Sequence, residues 1–258
     1  MKLLLQQKAL IALAYIAASS TQAAFLFGNV RDSRNYRSYS SSSSSLVQMA
    51  SNGNEDGDGD LLYSSPVTSF LGKFLPKTDG SAKDLDKTKV RKMSIDKMVA
   101  TLDQGLRERE WFVTGNVMPE LFADDFFFKD PDVQLEGIDK YADGVRRLFD
   151  QETSRAEIIE CSLNEDLTEG NDDGSQVITV EWRLSGNVNI GPVQGLKIKP
   201  YICYSDLYVR NEDGLIYYQE DRFDIPGWDI LLSAIFPWLG PPIVAAEAPP
   251  IEEIIRNR

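Results

Sequence analysis

Apolar residues first fall into a regular period at Ile95, Met98, Val99, Leu102 and Leu106, which predicts an amphipathic helix with Ser94 as its N-cap. After the break at "TGN", a second short helix is expected over Val117–Phe122, and the aromatic run "DFFFK" reads as a strand. Gly137 opens a longer amphipathic run. Ile138, Tyr141, Ala142, Val145, Leu148 and Phe149 share one face, and Asp139, Lys140, Asp143, Arg146, Arg147 and Asp150 share the other. From there the period drops to two. "RAEIIECSL", "QVITVEWRLSGNV", "LKIKPYICYSDLYVR" and "LIYYQEDRFDI" read as four strands, separated by turn-rich segments that end with the hairpin signal "NEDG". This order predicts an α+β domain over residues 94–226: a curved antiparallel sheet whose one buried face is covered by about three N-terminal helices.

Alternation assigns side chains to faces. Phe126, Phe128 and Asp130 point one way. Ile178, Val180, Trp182 and Leu184 share a face, as do Ile202, Tyr204, Asp206 and Tyr208. With those faces turned inward, the cover encloses an apolar pocket walled by Phe126, Phe128, Trp182, Tyr204 and Tyr208. Tyr141, on the apolar face of its helix, belongs to the core or to the same wall. Asp130 and Asp206 would interrupt that wall. A buried carboxylate is costly unless it is neutral, paired or functional. Asp130 before Pro131 is equally an ordinary turn starter. Asp206 is equally a partner for Arg183 or Arg222. The alternating charges of "YYQEDRFD" read as a solvated strand face.

Composition narrows the chemistry. Histidine is absent from the 258 residues, which removes Ser-His-Asp and Cys-His catalysis, His-ligated zinc and a proximal haem histidine. Cys161 and Cys203 form no metal-binding spacing and sit in apolar, strand-like surroundings, so they read as small core residues, and no metal or cofactor is expected. Residues 1–93 carry 12 Lys+Arg and 8 Asp+Glu, leaving 15 basic and 32 acidic residues in 94–258. A body that acidic repels phosphates, so nucleic acid is not an expected partner.

The N-terminal third reads as an address. Residues 1–24 pair Lys2 and Lys8 with "ALIALAYIAA" and small residues, the form of a secretory signal peptide. Residues 25–50 begin at Phe25 and carry Arg31, Arg34 and Arg37 among many serines, as organelle transit segments do. That order resembles the bipartite plastid presequence of diatoms and related algae, with Phe25 at the cleavage point. It implies a plastid location, and the competing reading is secretion. Residues 51–93 read as a disordered linker. Residues 227–258 form an apolar, then Pro-rich tail whose uninterrupted apolar stretch is too short to span a bilayer. A helix near Trp228–Phe236 is expected there, placed over the pocket mouth or sheet edge, or in peripheral contact with lipid.

"LFADDFFFKDP", followed by Gly137 and a helix, resembles the nuclear transport factor 2-like superfamily in its SnoaL-like and ketosteroid-isomerase-like branches. The ending, Gly214-Leu215-Ile216 and Phe223-Asp224, is similar to a plastid and cyanobacterial family of unknown function. The resemblance implies a cone with a pocket at one end. It also implies that Asp130 stands where the isomerases keep their general base, and Asp206 where they keep a hydrogen-bonding acid. The tyrosine that completes that trio has no counterpart between Ser94 and Trp111. Three functions follow as expectations: a pocket for a small hydrophobic molecule, a dimerising or docking scaffold built on the open sheet face, and a carboxylate-based isomerase or hydrolase using Asp130.

Overall fold

The computed structural model describes residues 62–63, 88–131, 133–190 and 193–258. The signal-like and transit-like segments lie outside the described residues, as does most of the linker. All described residues belong to one compact unit spanning Asp60–Arg258.

Helix α1 (Ile95–Arg109) buries Met98, Leu102 and Leu106 against the sheet, as its period requires. Ser94 holds the N-cap position without a side-chain cap bond. The second helix comes earlier than expected: α2 (Trp111–Thr114) follows at once, and Pro119–Leu121 forms a single 3-10 turn. The cause is Gly115 at φ 64, which ends α2 where the backbone presses against α3 (Ile138–Leu148). A Cβ at Gly115 would meet the Ala142 carbonyl oxygen at 2.2 Å. The strands are β1 (Leu62–Tyr63), β2 (Phe122–Lys129), β3 (Val133–Glu136), β4 (Arg155–Leu163), β5 (Gln176–Ile190), β6 (Val193–Val209) and β7 (Ile216–Phe223). A short α4 (Glu165–Glu169), capped by the Asn164 side chain accepting from the Leu167 N–H, fills the turn-rich segment between β4 and β5.

The sheet order is β1-β3-β2-β7-β6-β5-β4. It is mixed rather than wholly antiparallel, because β2 runs parallel to β7. A strand early in the chain has been placed beside the last one, and the helical connection frees it to take either direction. Bulges in β4, between Leu184 and Gly186, and between Tyr208 and Val209 bend the long strands around the helices. Gly186, at φ 137, lets β5 pass so close to Ser154 that a Cβ would lie 2.3 Å from the Ser154 Cα. One core results, running from Leu102 and Trp111 on the helices to Ile178, Cys203 and Ile216 on the strands.

The tail is part of this body. Helix α5 (Gly227–Ile235) packs on β6 and sends Ala234 into the core beside Ile225. Its Asp229 is buried, ion-paired with Lys199, and accepts the Ala245 N–H at 2.7 Å. Farther on, the Ala248 N–H donates to the Pro200 carbonyl, and α6 (Ile251–Arg256) lies against β4. No helix among the described residues is long and apolar enough to cross a membrane.

Candidate functional site

Register decides which side chains share the cone's interior. Phe128 stands opposite Gln219 across the parallel β2–β7 junction, and Lys129 stands opposite Glu220. One step further brings Asp130 beside Asp221, on strands that lie roughly 4.8 Å apart. Asp221 in turn pairs with Ser205 on β6, and Gln219 pairs with Leu207. Phe128, Gln219, Asp221, Ser205 and Leu207 are on the inner face, and Lys129 and Glu220 are on the outer one. Asp221 is 8 % exposed, and Gln219 and Ser205 are fully buried.

The polar groups in this apolar interior are linked. The Gln219 Nε2 donates to Asp221 Oδ1 at 2.9 Å and reaches the Tyr141 hydroxyl at 3.5 Å. The Trp182 Nε1 donates to Ser205 Oγ at 3.1 Å. Aromatic rings enclose them: Phe128 and Phe126 lie 4.9 and 6.1 Å from Tyr141, and Trp182 stacks on Phe112 at 4.8 Å. The Gln219 Oε1, although buried, has no hydrogen-bond partner among the described residues.

Desolvation dominates the electrostatics. Burial pushes the Asp221 carboxyl up to about 7, with the charges of Asp130 and Asp206 adding to the rise and hydrogen bonds from Gln219 and Ser205 opposing it. Burial also pushes the Tyr141 phenol well above its ordinary value, followed by the charge of Asp221. Tyr201, buried on β6, is raised the same way and also feels Asp130 and Asp221. Asp130 is therefore electrostatically part of the interior, although it is half-buried at the end of its strand. It is also a turn residue. Its Oδ1 accepts the Val133 N–H at 2.5 Å, and its own N–H donates to the Val133 carbonyl. The turn reading of Asp130 is the one these bonds show.

Of the residues singled out from sequence, Asp130, Phe126, Phe128, Tyr141 and Trp182 come together in the interior. Asp206, Tyr204 and Tyr208 do not; the expectation that they share a cavity with Asp130 needs correction. On β6 the core face is Tyr201, Cys203, Ser205 and Leu207, so the residues between them look out from the other side of the sheet. A shift of one residue along a strand inverts every side chain. Asp206 is buried there by its partners. It accepts from Thr179 Oγ1 at 2.6 Å and from Arg222 at 2.9 and 3.1 Å. The same Arg222 lies over the Tyr204 ring at 5.2 Å. Tyr208 packs at 5.0 Å on Tyr218.

The carboxylate that does face Asp130 was hidden in the segment read as a solvated strand face. Counting back by twos from Phe223 gives Asp221 and Gln219, and this was the available signal. Both cysteines are free thiols; burial pushes Cys161 up to about 12 and Cys203 well above its ordinary value. Among the described residues no group of three or more His, Cys, Asp or Glu is placed to hold a metal ion.

A curved sheet closed over α1–α3, with its inner face lined by aromatics, is the α+β architecture that the resemblance implied. The fold is a nuclear transport factor 2-like cone. Among solved structures, nuclear transport factor 2 from Cryptosporidium parvum aligns over 53 % of this chain and 99 % of its own, at 14 % identity and TM-score 0.33. An NTF2-like protein from Anabaena variabilis aligns over 52 % and 95 %, at 16 % identity and TM-score 0.35. An LEH-like epoxide hydrolase from M. tuberculosis aligns over 55 % and 94 %, at 16 % identity and TM-score 0.32. No protein-family model and no curated protein matches the chain. At these identities and scores the alignments carry no argument about activity; the fold rests on the strand order and the helix placement themselves.

Proposed function

We propose that the cone interior binds a small, mostly apolar molecule that presents a hydroxyl or carbonyl oxygen to Asp221, Gln219 and Tyr141. The observation that carries this reading is the Gln219 side chain. Its Nε2 is engaged by Asp221, yet its Oε1 is buried without a partner. An acceptor left unsatisfied in the interior costs about 1–3 kcal/mol, and a ligand hydroxyl at that point would recover it. Phe126, Phe128, Trp182 and Tyr201 supply the apolar surface around this polar point, the usual composition of a small-molecule site.

A second reading, proton transfer on the bound molecule, is favoured by the side-by-side placement of Asp130 and Asp221. Two carboxyls at neighbouring strand positions resist ionising together, so one holds its proton near neutral pH while the other is available as a base. The proposal also places the protein in a plastid, supported by the order of signal-like segment, Phe25 and Arg/Ser-rich segment.

Native mass spectrometry of the purified protein, followed by a titration of tryptophan fluorescence with naphthol, tests the binding reading. A retained small molecule, or naphthol binding that Gln219→Leu and Asp221→Asn weaken without unfolding the protein, is the expected result. A protein that carries nothing and leaves naphthol unbound refutes it.

A further inference from the structure

The outer face of the sheet holds a concavity of about 400 Å³, between α4 and β4, β5 and β6. Four of its lining residues are carboxylates: Glu160, Glu165, Asp166 and Glu181. Tyr204 contributes a ring. Two of the acids are in an arrangement that sheets ordinarily avoid. Glu160 and Glu181 are direct cross-strand partners in the β4–β5 ladder, and like charges at such positions repel. The pair is resolved by a cation from far along the chain. Arg258 donates from Nη1 to Glu160 Oε2 at 2.8 Å, and its Nη2 is ion-paired with Glu181. One planar guanidinium thus spans both carboxylates, which its fork of N–H donors suits better than an ammonium would.

Arg258 does not use up the concavity. Glu165 and Asp166 lie on its α4 side, and among the described residues no cation pairs with either. The volume falls within the range of ligand sites, far more than one guanidinium fills. Nor is Arg258 held tightly. Its side chain is 42 % exposed, so solvent screens its hold on the exposed Glu160 most strongly. A site with four acids, an aromatic ring and one loosely held guanidinium is built to exchange that guanidinium for another.

We propose that this groove is a receptor for an arginine-bearing, extended segment of a partner protein, and that Arg258 occupies it in cis as an internal competitor. The acidic body of the chain draws such a segment in, and the Glu160–Glu181 pair fixes the first arginine by the fork now made with Arg258. Glu165 and Asp166 take a second basic side chain. Tyr204 offers its ring to the stem of either residue, next to the face already covered by Arg222.

The test uses the full chain and the probe acetyl-Arg-Arg-amide, followed by calorimetry at low salt. Arg258→Ala should tighten binding by about fivefold, the equivalent of one displaced surface ion pair. Adding Glu181→Gln to Arg258→Ala should weaken it at least tenfold, and the matching dilysine probe should bind more weakly than diarginine. Glu181→Gln relieves a like-charge pair, so the variant remains folded, which its melting curve would verify. Unchanged affinity in Arg258→Ala, or binding indifferent to Glu181→Gln, would overturn the proposal. Stronger binding of putrescine than of diarginine would replace the peptide by a small diamine and also overturn it.

Discussion

Asp221 lies one register step beyond the Lys129–Glu220 pair, toward the end of β2 where Asp130 follows, and its carboxyl feels the Asp130 charge. Arg222 and Lys129, their basic neighbours in sequence, engage acids on the outer face instead: Arg222 bonds Asp206 and Lys129 bonds Glu220. Two acids facing an aromatic interior is the feature from which the functional readings derive.

The first consequence is a pH dependence of stability. The Asp221 carboxyl sits at about 7 in the folded protein and near its ordinary value of 3.8 when unfolded. The folded state therefore binds the extra proton between those limits. Its contribution is fully present below about pH 4, declines as pH rises, and is lost above about pH 7. The loss is on the order of 4 kcal/mol if the whole shift is realised. Asp221→Asn, which stays neutral, should flatten the profile and melt higher than wild type at pH 8. Melting curves from pH 4 to 8 decide it: parallel profiles for the two proteins would show that Asp221 is not held neutral by burial.

Asp130 can be tested by separating its two roles. Asparagine keeps an oxygen for the Val133 N–H and removes the charge; alanine removes both. Asp130→Ala should cost about 1 kcal/mol, as lost local side-chain caps do, and Asp130→Asn much less. Both should lower the Asp221 midpoint, because the Asp130 charge is one of the causes of its rise. Carboxyl carbon shifts of Asp221 followed by NMR against pH would measure this. An unmoved midpoint would separate the two residues electrostatically.

Much of the architecture was legible because burial on one side leaves a period in the sequence. The spacing of Ile138, Tyr141, Ala142 and Val145 gave α3, and the four two-period runs became β4 to β7 nearly residue for residue. What period alone left open was which side of a strand faces in. Trp182 and Phe128 announce the core by size. On β6, Tyr204 and Tyr208 face outward while Tyr201 faces in, and the smaller Cys203 and Ser205 continue the inner row. Asp206 looked internal because its neighbours were aromatic, and Asp221 looked external because its neighbours were charged. The parallel β2–β7 pairing, which makes Asp130 and Asp221 neighbours, is a long-range contact that no local signal carries.

The outer-face ion pair should matter to folding and not to the interior. Arg222→Leu leaves Asp206 buried with only Thr179 to satisfy it, next to Glu220 across the β6–β7 ladder. A cost of about 1–3 kcal/mol follows from the unpaired acid, and Asp206→Asn in the same chain should restore most of it. Urea titrations give these differences. Naphthol binding should be the same in wild type and both variants, and a loss there would place Asp206 back in the ligand site.

The address is testable apart from the fold. Residues Met1–Ser45 fused to a fluorescent reporter and expressed in a diatom should carry it into the plastid, and Phe25→Ala should divert it. Export of the unaltered fusion into the medium would favour secretion.

The tail carries the last prediction. Between Asp229 and Glu247 there is no charged residue, and along this stretch Trp238 is 76 % exposed and Ile243 56 %, with Trp228 50 % exposed just before it. Phe236 and Trp238 pack edge to face at 5.4 Å, which holds a broad aromatic surface outward. Tryptophan at the surface of an uncharged stretch suits the headgroup level of a bilayer, and the helix is too short to go deeper. The acidic body would oppose anionic headgroups, so vesicles of uncharged lipid are the proposed partner. The protein should sediment with phosphatidylcholine or galactolipid vesicles and less with phosphatidylserine, and Trp228→Ser with Trp238→Ser should abolish sedimentation. Both rings are exposed, so the double variant should keep its melting temperature within a few degrees. If the variant unfolds instead, these tryptophans serve packing. If wild type ignores every vesicle, the surface serves something other than lipid.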